Sequence, residues 1–282
     1  MLAVLAGLGA ATAFAASTLA SARASRLIGS ASTVGWVTAV GLPLAITAAV
    51  ADRTGVSIAA LPWLAIAGFG NVSGLVLAYR ALRVGRVAVV APIVSTEGAV
   101  AAVLSVVTGG TISVLLLGAL ALVAAGGAIT AAADDAPEGS LVAGDSRQAA
   151  VLAVVAAMLF GASLFATGQI GRSLPLGWAV LAPRLTGAAL VAAPLGLRHR
   201  LVLTKRAAPL VVLAGVAEVV GFACIGLGSR SDVAVTAVLA SQFAVIAVIG
   251  AVLILGERLA WKQRLGIAAV AIGTALIAAL QS

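Results

Sequence analysis

Five polar side chains stand near the centres of long apolar runs in this chain: Asn71, Glu97, Arg184, Glu218 and Gln242. A charged or amide side chain at the depth of a bilayer core is expensive, so it faces a bundle interior or a wet cavity and is a functional candidate by default. Arg184 keeps its charge when partly desolvated and offers a bidentate fork to a carboxylate or phosphate, so it can anchor an anionic group. Its alternative use is structural, pairing with Glu97 or Glu218 to lock helices together. Glu97 and Glu218 are candidates for proton coupling, taking up and releasing a proton in a transport cycle, with a satisfied structural carboxyl as the competing role. Asn71 and Gln242 add amide donors and acceptors at similar depth. The set suits holding and moving a solute more than making bonds. The single His199 sits in the basic stretch RHR and reads as a solvated loop residue, and the single Cys224 lies inside an apolar run. With no second histidine, carboxylate cluster or thiolate set, no metal, cofactor or internal disulfide is expected.

The elements that position these residues follow from composition. Of 282 residues, 62% are hydrophobic and 9% charged, whereas a water-soluble globule is about one quarter charged. Stretches of roughly 20 apolar residues, each able to cross a hydrocarbon core of about 30 Å as a helix, recur along the chain and leave no room for a soluble domain. The pattern predicts an all-α integral membrane protein of ten transmembrane helices, at about 2–21, 33–51, 60–79, 87–107, 112–131, 148–169, 176–197, 207–228, 232–254 and 265–280. The net charge of +8 lies mostly in short connections, where it marks topology and meets lipid headgroups; a nucleic-acid partner is not expected. The first apolar run lacks the basic start of a signal peptide and is taken as the first crossing. The longest connection, AADDAPEGSLVAGDSR at 132–147, is acidic and carries Pro137, Gly139 and Gly144, so it separates a first repeat, 1–131, from a second, 148–282.

The two halves match each other. AFAAS at 13–17 corresponds to LFGAS at 159–163, Gly35–Trp36 to Gly177–Trp178, GFGNVSG at 68–74 to GVAEVVG at 215–221, and VAVVAPI at 87–93 to VAVTAVL at 233–239, all in order and at offsets between 142 and 147. Asn71 and Glu218 are partners in this register. Five crossings per repeat turn the second copy upside down relative to the first, and the basic residues follow. In the first half they cluster after the first and third segments (Arg23, Arg26, Arg80, Arg83, Arg86), with only Arg53 after the second and fourth. In the second half they cluster after the seventh and ninth (Arg198, Arg200, Lys205, Arg206, Arg258, Lys262, Arg264), with only Arg172 and Arg230 after the sixth and eighth. The positive-inside rule places the rich connections in the cytoplasm and both termini outside.

The fifth and tenth segments carry no charge or amide near their centres, which makes them peripheral. Lipid contact and self-association into a homodimer explain their composition equally well. The remaining segments then enclose a polar cavity near the midplane, where carriers built from inverted repeats place their substrate. Pro92 removes one backbone donor ahead of Glu97 and either kinks the helix toward that cavity or only shapes packing. Gly70 and Gly74 form a small-residue face for close helix approach. Trp36, Trp63, Trp178 and Trp261 fall near segment ends, as interfacial indoles do.

With the duplicated unit, the segment RVAVVAPIVSTEGAVAAVLSVV and the ending VAVTAVLASQFAVIAVIGAVLILGERLAWKQRLGIAAVAIGTALIAA in place, the chain resembles the drug/metabolite transporter superfamily, in its EamA-domain branch of ten-helix carriers. Gly256 with Glu257, followed by Gly266 and Gly273, resembles the family's hairpin between its last two helices, and Arg184 fits an arginine often found in the second helix of a repeat. The first half departs from this pattern, with Gly110–Thr111 in place of Gly256–Glu257 and Leu42 in place of Arg184. The resemblance implies alternating access in a bacterial-type cytoplasmic membrane, commonly exporting amino acids, nucleosides, other metabolites or toxic compounds, and both termini inside. A channel, a non-transporting scaffold and a membrane-embedded lipid-modifying enzyme are the competing classes. An enzyme of that kind needs clustered carboxylates with a metal, or a nucleophile with a base, and the sequence supplies neither.

Overall fold

The computed structural model describes residues 1–51, 57–108, 114–132, 146–170, 174–229, 231, 239–240 and 242–280. Among them the regular structure is entirely helical: α1 (Leu2–Ile28), α2 (Ser30–Ala51), α3 (Leu61–Val84), α4 (Val87–Val94), α5 (Glu97–Val107), α6 (Val114–Ala132), α7 (Ser146–Ile170), α8 (Leu176–Gly187), α9 (Ala193–Leu197), α10 (Ala208–Ser229), α11 (Phe243–Leu255) and α12 (Trp261–Leu280). Six of the described helical spans are long and apolar enough to cross a bilayer, with shorter apolar helices between them. The protein is a multi-pass integral membrane protein, and helices satisfy the backbone where lipid cannot.

Several helices outlast their apolar runs. α1 continues to Ile28 and α3 to Val84, so Arg23, Arg26, Arg80 and Arg83 lie in final helical turns rather than in connections. Two of these arginines serve open carbonyls at other helix ends. Arg26 donates from Nε to Leu82 O at 3.2 Å and from Nη2 to Gly85 O at 2.9 Å, and Arg23 Nη2 donates to Ile254 O at 2.9 Å. The last carbonyls of a helix have no partner within it, which is why a basic residue is favoured there. Between α1 and α2 the chain turns within one residue, at Gly29, where φ is 83°, a conformation glycine enters without strain.

Two predicted single helices are interrupted. Ser95 and Thr96 separate α4 from α5, with Ser95 Oγ donating to Pro92 O at 2.8 Å and Thr96 Oγ1 to Ile93 O at 2.7 Å. Such local side-chain bonds compete with the helical ladder and bend it. Between α8 and α9, residues Ala188–Ala192 form a π-helical turn just before Pro194.

Packing runs across the halves. α1 lies on α10 and α3 on α7, the first helix of each half against the third of the other; α2 packs on α8, α4 on α11 and α6 on α12. Exchanging the halves leaves this set unchanged. Individual contacts repeat the exchange. A Cβ at Gly74 would meet the Phe160 ring at 2.7 Å, and one at Gly221 would meet the Phe14 ring at 2.6 Å. One at Gly126 would meet Val270 N at 2.8 Å, and one at Gly273 would meet Val123 N at 3.1 Å. Small residues allow these approaches and dispersion holds them. The main core accordingly consists largely of alanine and valine from α1, α3, α4, α7, α10 and α11.

The basic stretches of both halves share one end of the bundle. Arg86 Nη1 donates to Arg258 O at 3.1 Å, and Trp36 Nε1 to Val202 O at 3.0 Å. At that end Glu257, 1% exposed, accepts the N–H groups of Val87 and Ala88 at 2.9 and 2.8 Å, with Arg26 at 3.9 Å. A carboxylate thus closes the N-terminus of α4, where free N–H groups and the helix dipole favour negative charge. Arg53, Gly110, Thr111, Arg172, Arg230 and residues 133–145 of the expected linker lie outside the described residues.

Candidate functional site

A cavity of about 400 Å³ lies among α1, α3, α4, α5, α7, α8, α10 and α11. No described residue of α6 or α12 lines it. Much of its wall consists of positions equivalent in the two halves: Phe14 and Phe160, Ser17 and Ser163, Asn71 and Glu218, Leu75 and Phe222, Glu97 and Phe243. Two of these pairs are identical, Phe14/Phe160 and Ser17/Ser163, and the other three differ in chemistry.

Three of the five predicted residues, Asn71, Glu97 and Glu218, line this space. Asn71 projects from α3, and its Oδ1 is buried without a hydrogen-bond partner. Glu97 opens α5 immediately after the Ser95–Thr96 turn, so the interruption sets its height and direction. α7 holds that turn close, because Gly161 lets the Glu97 carbonyl approach to 2.9 Å of where a Cβ would stand. Glu97 is half-buried and, among the described residues, faces no ion-pair or hydrogen-bond partner.

Glu218 is in a different situation. Its Oε2 lies 2.7 Å from Arg184 Nη2. The approach is bent away from hydrogen-bond geometry, since neither atom has a hydrogen-bond partner. Its Oε1 accepts the Tyr79 hydroxyl at 3.3 Å. Arg184 stands behind the cavity wall, 1% exposed and absent from the lining. Gly41 of α2 makes room for it: a Cβ there would fall 2.9 Å from Arg184 Nε. The pairing alternative foreseen for Arg184 is the one adopted, with Glu218 as partner. Gln242 caps the start of α11 between Ala240 and Phe243, which both line the cavity, but is not itself in the lining.

Sequence reasoning passed over the aromatic part of the wall. Phe14, Phe160, Phe222, Phe243 and Tyr79 face the cavity. Phe14 meets Phe222 edge to face at 5.3 Å and Phe243 at 6.3 Å. In a chain only 4% aromatic, the placing of Phe14 and Phe160 inside matched blocks was the available signal. Ser163 was missed as well; its Oγ donates to Ala67 O at 2.8 Å and ties α7 to α3. The arrangement can bind a small, largely apolar solute with a few polar contacts, in the size range of ligand cavities.

Comparison with known proteins agrees with this architecture. A crystal structure of another protein superposes with a TM-score of 0.65 at 18% identity, covering 99% of this chain and 96% of that one, a likeness of fold. No curated protein matches the chain. Residues 147–279 match the profile of the EamA-like transporter family. The EamA domain is the signature of the drug/metabolite transporter superfamily, and the second half of the chain carries that signature.

Proposed function

We propose that the protein is a secondary active transporter that exports small metabolites or drugs across a bacterial-type cytoplasmic membrane by alternating access. Members of the EamA-like family, whose profile the second half of the chain matches, are transporters rather than enzymes. In this reading ten crossings form two inverted five-helix repeats, and the groups that enclose the cavity rock about it. The observation that carries the proposal is a cavity walled by equivalent residues from two halves that exchange without altering the packing. A binding site on such an axis is reached from either face when one half swaps roles with the other. Asn71, Glu97 and Glu218 line the path, Arg184 sets the charge and position of Glu218, and Gln242 holds the entry to α11. Glu97 and Glu218 are the groups through which a proton gradient could drive the cycle. The small-molecule substrate and the bilayer are its partners, and the exposed apolar residues of α6 and α12, Leu115 and Ile272 among them, offer a face to lipid or to a second copy in a homodimer.

A metabolite-resistance screen of cells overproducing the chain, followed by transport of the hit in proteoliposomes with and without an imposed proton gradient, tests the reading. Export appears as tolerance and as saturable flux. Alanine at Glu218 and at Arg184 abolishes that flux in folded protein. Unchanged flux in both variants removes these residues from the site, and flux without saturation points to a channel.

A further inference from the structure

The charges around the cavity do not balance. Among the described residues two carboxylates line it, Glu97 and Glu218, and no lysine, arginine or histidine does. Among the described residues the basic group next to the cavity is Arg184, which lies behind the wall and is already opposite Glu218. The Arg184–Glu218 pair contributes no net charge, and Glu97 is left as a single uncompensated acid facing an apolar space. A carboxylate in such surroundings requires a proton or a cation opposite it.

The rest of the wall says which cation suits. Glu97 has no second carboxylate within a shared ligand set, and the neighbouring polar atoms are hydroxyls and an amide, too few and too dispersed for the six or more oxygens of a hard metal ion. Phenyl rings dominate instead. Phe14, Phe222 and Phe243 stand edge to face on one side, with Phe160 in the matched position to Phe14. Such rings accept alkylated ammonium groups through their faces and aryl or branched alkyl bodies through their area. An anionic solute finds no free cation here, since the guanidinium is paired and enclosed.

Resting on the transporter reading, we infer that the substrate class is the monovalent organic cation, an amine or quaternary ammonium on an apolar or aromatic body, whose charge is held by Glu97. Asn71 Oδ1, buried and without a partner, is the acceptor for an ammonium N–H where the solute has one. The position equivalent to Glu97 in the second half is Phe243, so at this matched pair one half presents a carboxyl and the other a ring to the same occupant.

The test uses the purified full chain in lipid nanodiscs and three probes of one shape: benzyltrimethylammonium, its uncharged carbon isostere neopentylbenzene, and benzenesulfonate. The cation binds saturably, and Glu97→Gln weakens it roughly tenfold or more, as expected for loss of a desolvated charge contact. The neutral isostere binds the two proteins alike, which also reports that the variant is folded. In the unaltered protein, the cation protects Glu97 from modification by a hydrophobic carbodiimide, read by mass spectrometry, and the sulfonate does not. Equal cation affinity in Glu97→Gln, tighter binding of the sulfonate, or absence of protection overturns the inference. The two readings separate in proteoliposomes. A cation that binds through Glu97 but is never carried refutes transport and keeps the ligand class. Saturable carriage of a different solute, with no binding of the cation, refutes the ligand class and keeps transport.

Discussion

Removing one partner of the Arg184–Glu218 pair strands the other. In Glu218→Gln the guanidinium remains beside Gly41 and Val219, at 1% side-chain exposure, with no second carboxylate paired to it among the described residues. Breaking a buried pair in this way costs about 3–5 kcal/mol, chiefly because a charge is left unmatched. Arg184→Met leaves Glu218 at 11% side-chain exposure on the cavity edge, with the Tyr79 hydroxyl still donating to it. Cavity water reduces the penalty there to about 2–4 kcal/mol. The double variant leaves no unmatched charge and returns to within about 1 kcal/mol of the parent, so the coupling between the sites is roughly 3 kcal/mol or more. Reversible unfolding of the four proteins in mixed micelles measures the cycle, with flux of an identified substrate recorded in parallel. Additive losses, with coupling below about 0.5 kcal/mol, would refute the claim that the two charges serve each other. Flux separates the roles. If the pair only neutralises and locks α8 to α10, the double variant regains transport with stability; if Arg184 itself grips the solute, transport stays lost.

Glu257→Gln replaces one of the two acceptors at the start of α4 with a donor facing an N–H group, and unfolding in micelles should show a loss of about 1.5–3 kcal/mol. Arg26→Gln removes the 3.9 Å pair together with the hydrogen bonds to Leu82 O and Gly85 O, and should cost about 1–3 kcal/mol by the same measurement. Gly161→Leu drives α7 away from the first turn of α5; protein that still reaches the membrane should bind the cation probe at least about tenfold more weakly, with Gly168→Leu, whose added Cβ meets nothing within 4 Å, as the control. In a Cys224→Ala background, Arg83→Cys and Arg200→Cys should react with an impermeant maleimide from the same face of the membrane, the cytoplasmic one under the positive-inside rule; labelling from opposite faces breaks the shared-end arrangement.

Polar positions within apolar helices were legible in the sequence, and direction around each helix was not. Asn71, Glu97 and Glu218 announced themselves because a polar group in an apolar run carries a cost that only a cavity or a partner relieves. Arg184 stands out for the same reason, but its enclosure depends on the absence of a side chain at Gly41, on a helix far away in sequence. The break before Glu97 was half visible. Pro92 marked the region, yet the turn falls at Ser95 and Thr96, whose hydroxyls take up the carbonyls of Pro92 and Ile93. The ends of α1 and α3 were set too early because arginine was counted as a loop residue, while Arg26 and Arg23 use their length to reach carbonyls of neighbouring helices. The phenylalanines of the wall are indistinguishable by composition from those that face lipid; recurrence at matched positions sets Phe14 and Phe160 apart, and nothing in the sequence does so for Phe222 and Phe243.

The crossed packing of the halves also governs the order of assembly. α3 is complete at Val84 and its main neighbour α7 at Ile170, while α1 is complete at Ile28 and its neighbour α10 only at Ser229. At about 5–20 residues per second of synthesis, α3 waits roughly 5–15 seconds and α1 roughly 10–40 seconds in the membrane before its partner arrives. During that interval the glycine face of α3 and the Phe14 side of α1 are covered by lipid or by an insertion chaperone. A nascent chain halted between α7 and α10 should therefore be held by the insertion machinery, and site-specific photocrosslinking from Phe14 to that machinery should vanish once residue 229 has entered the bilayer.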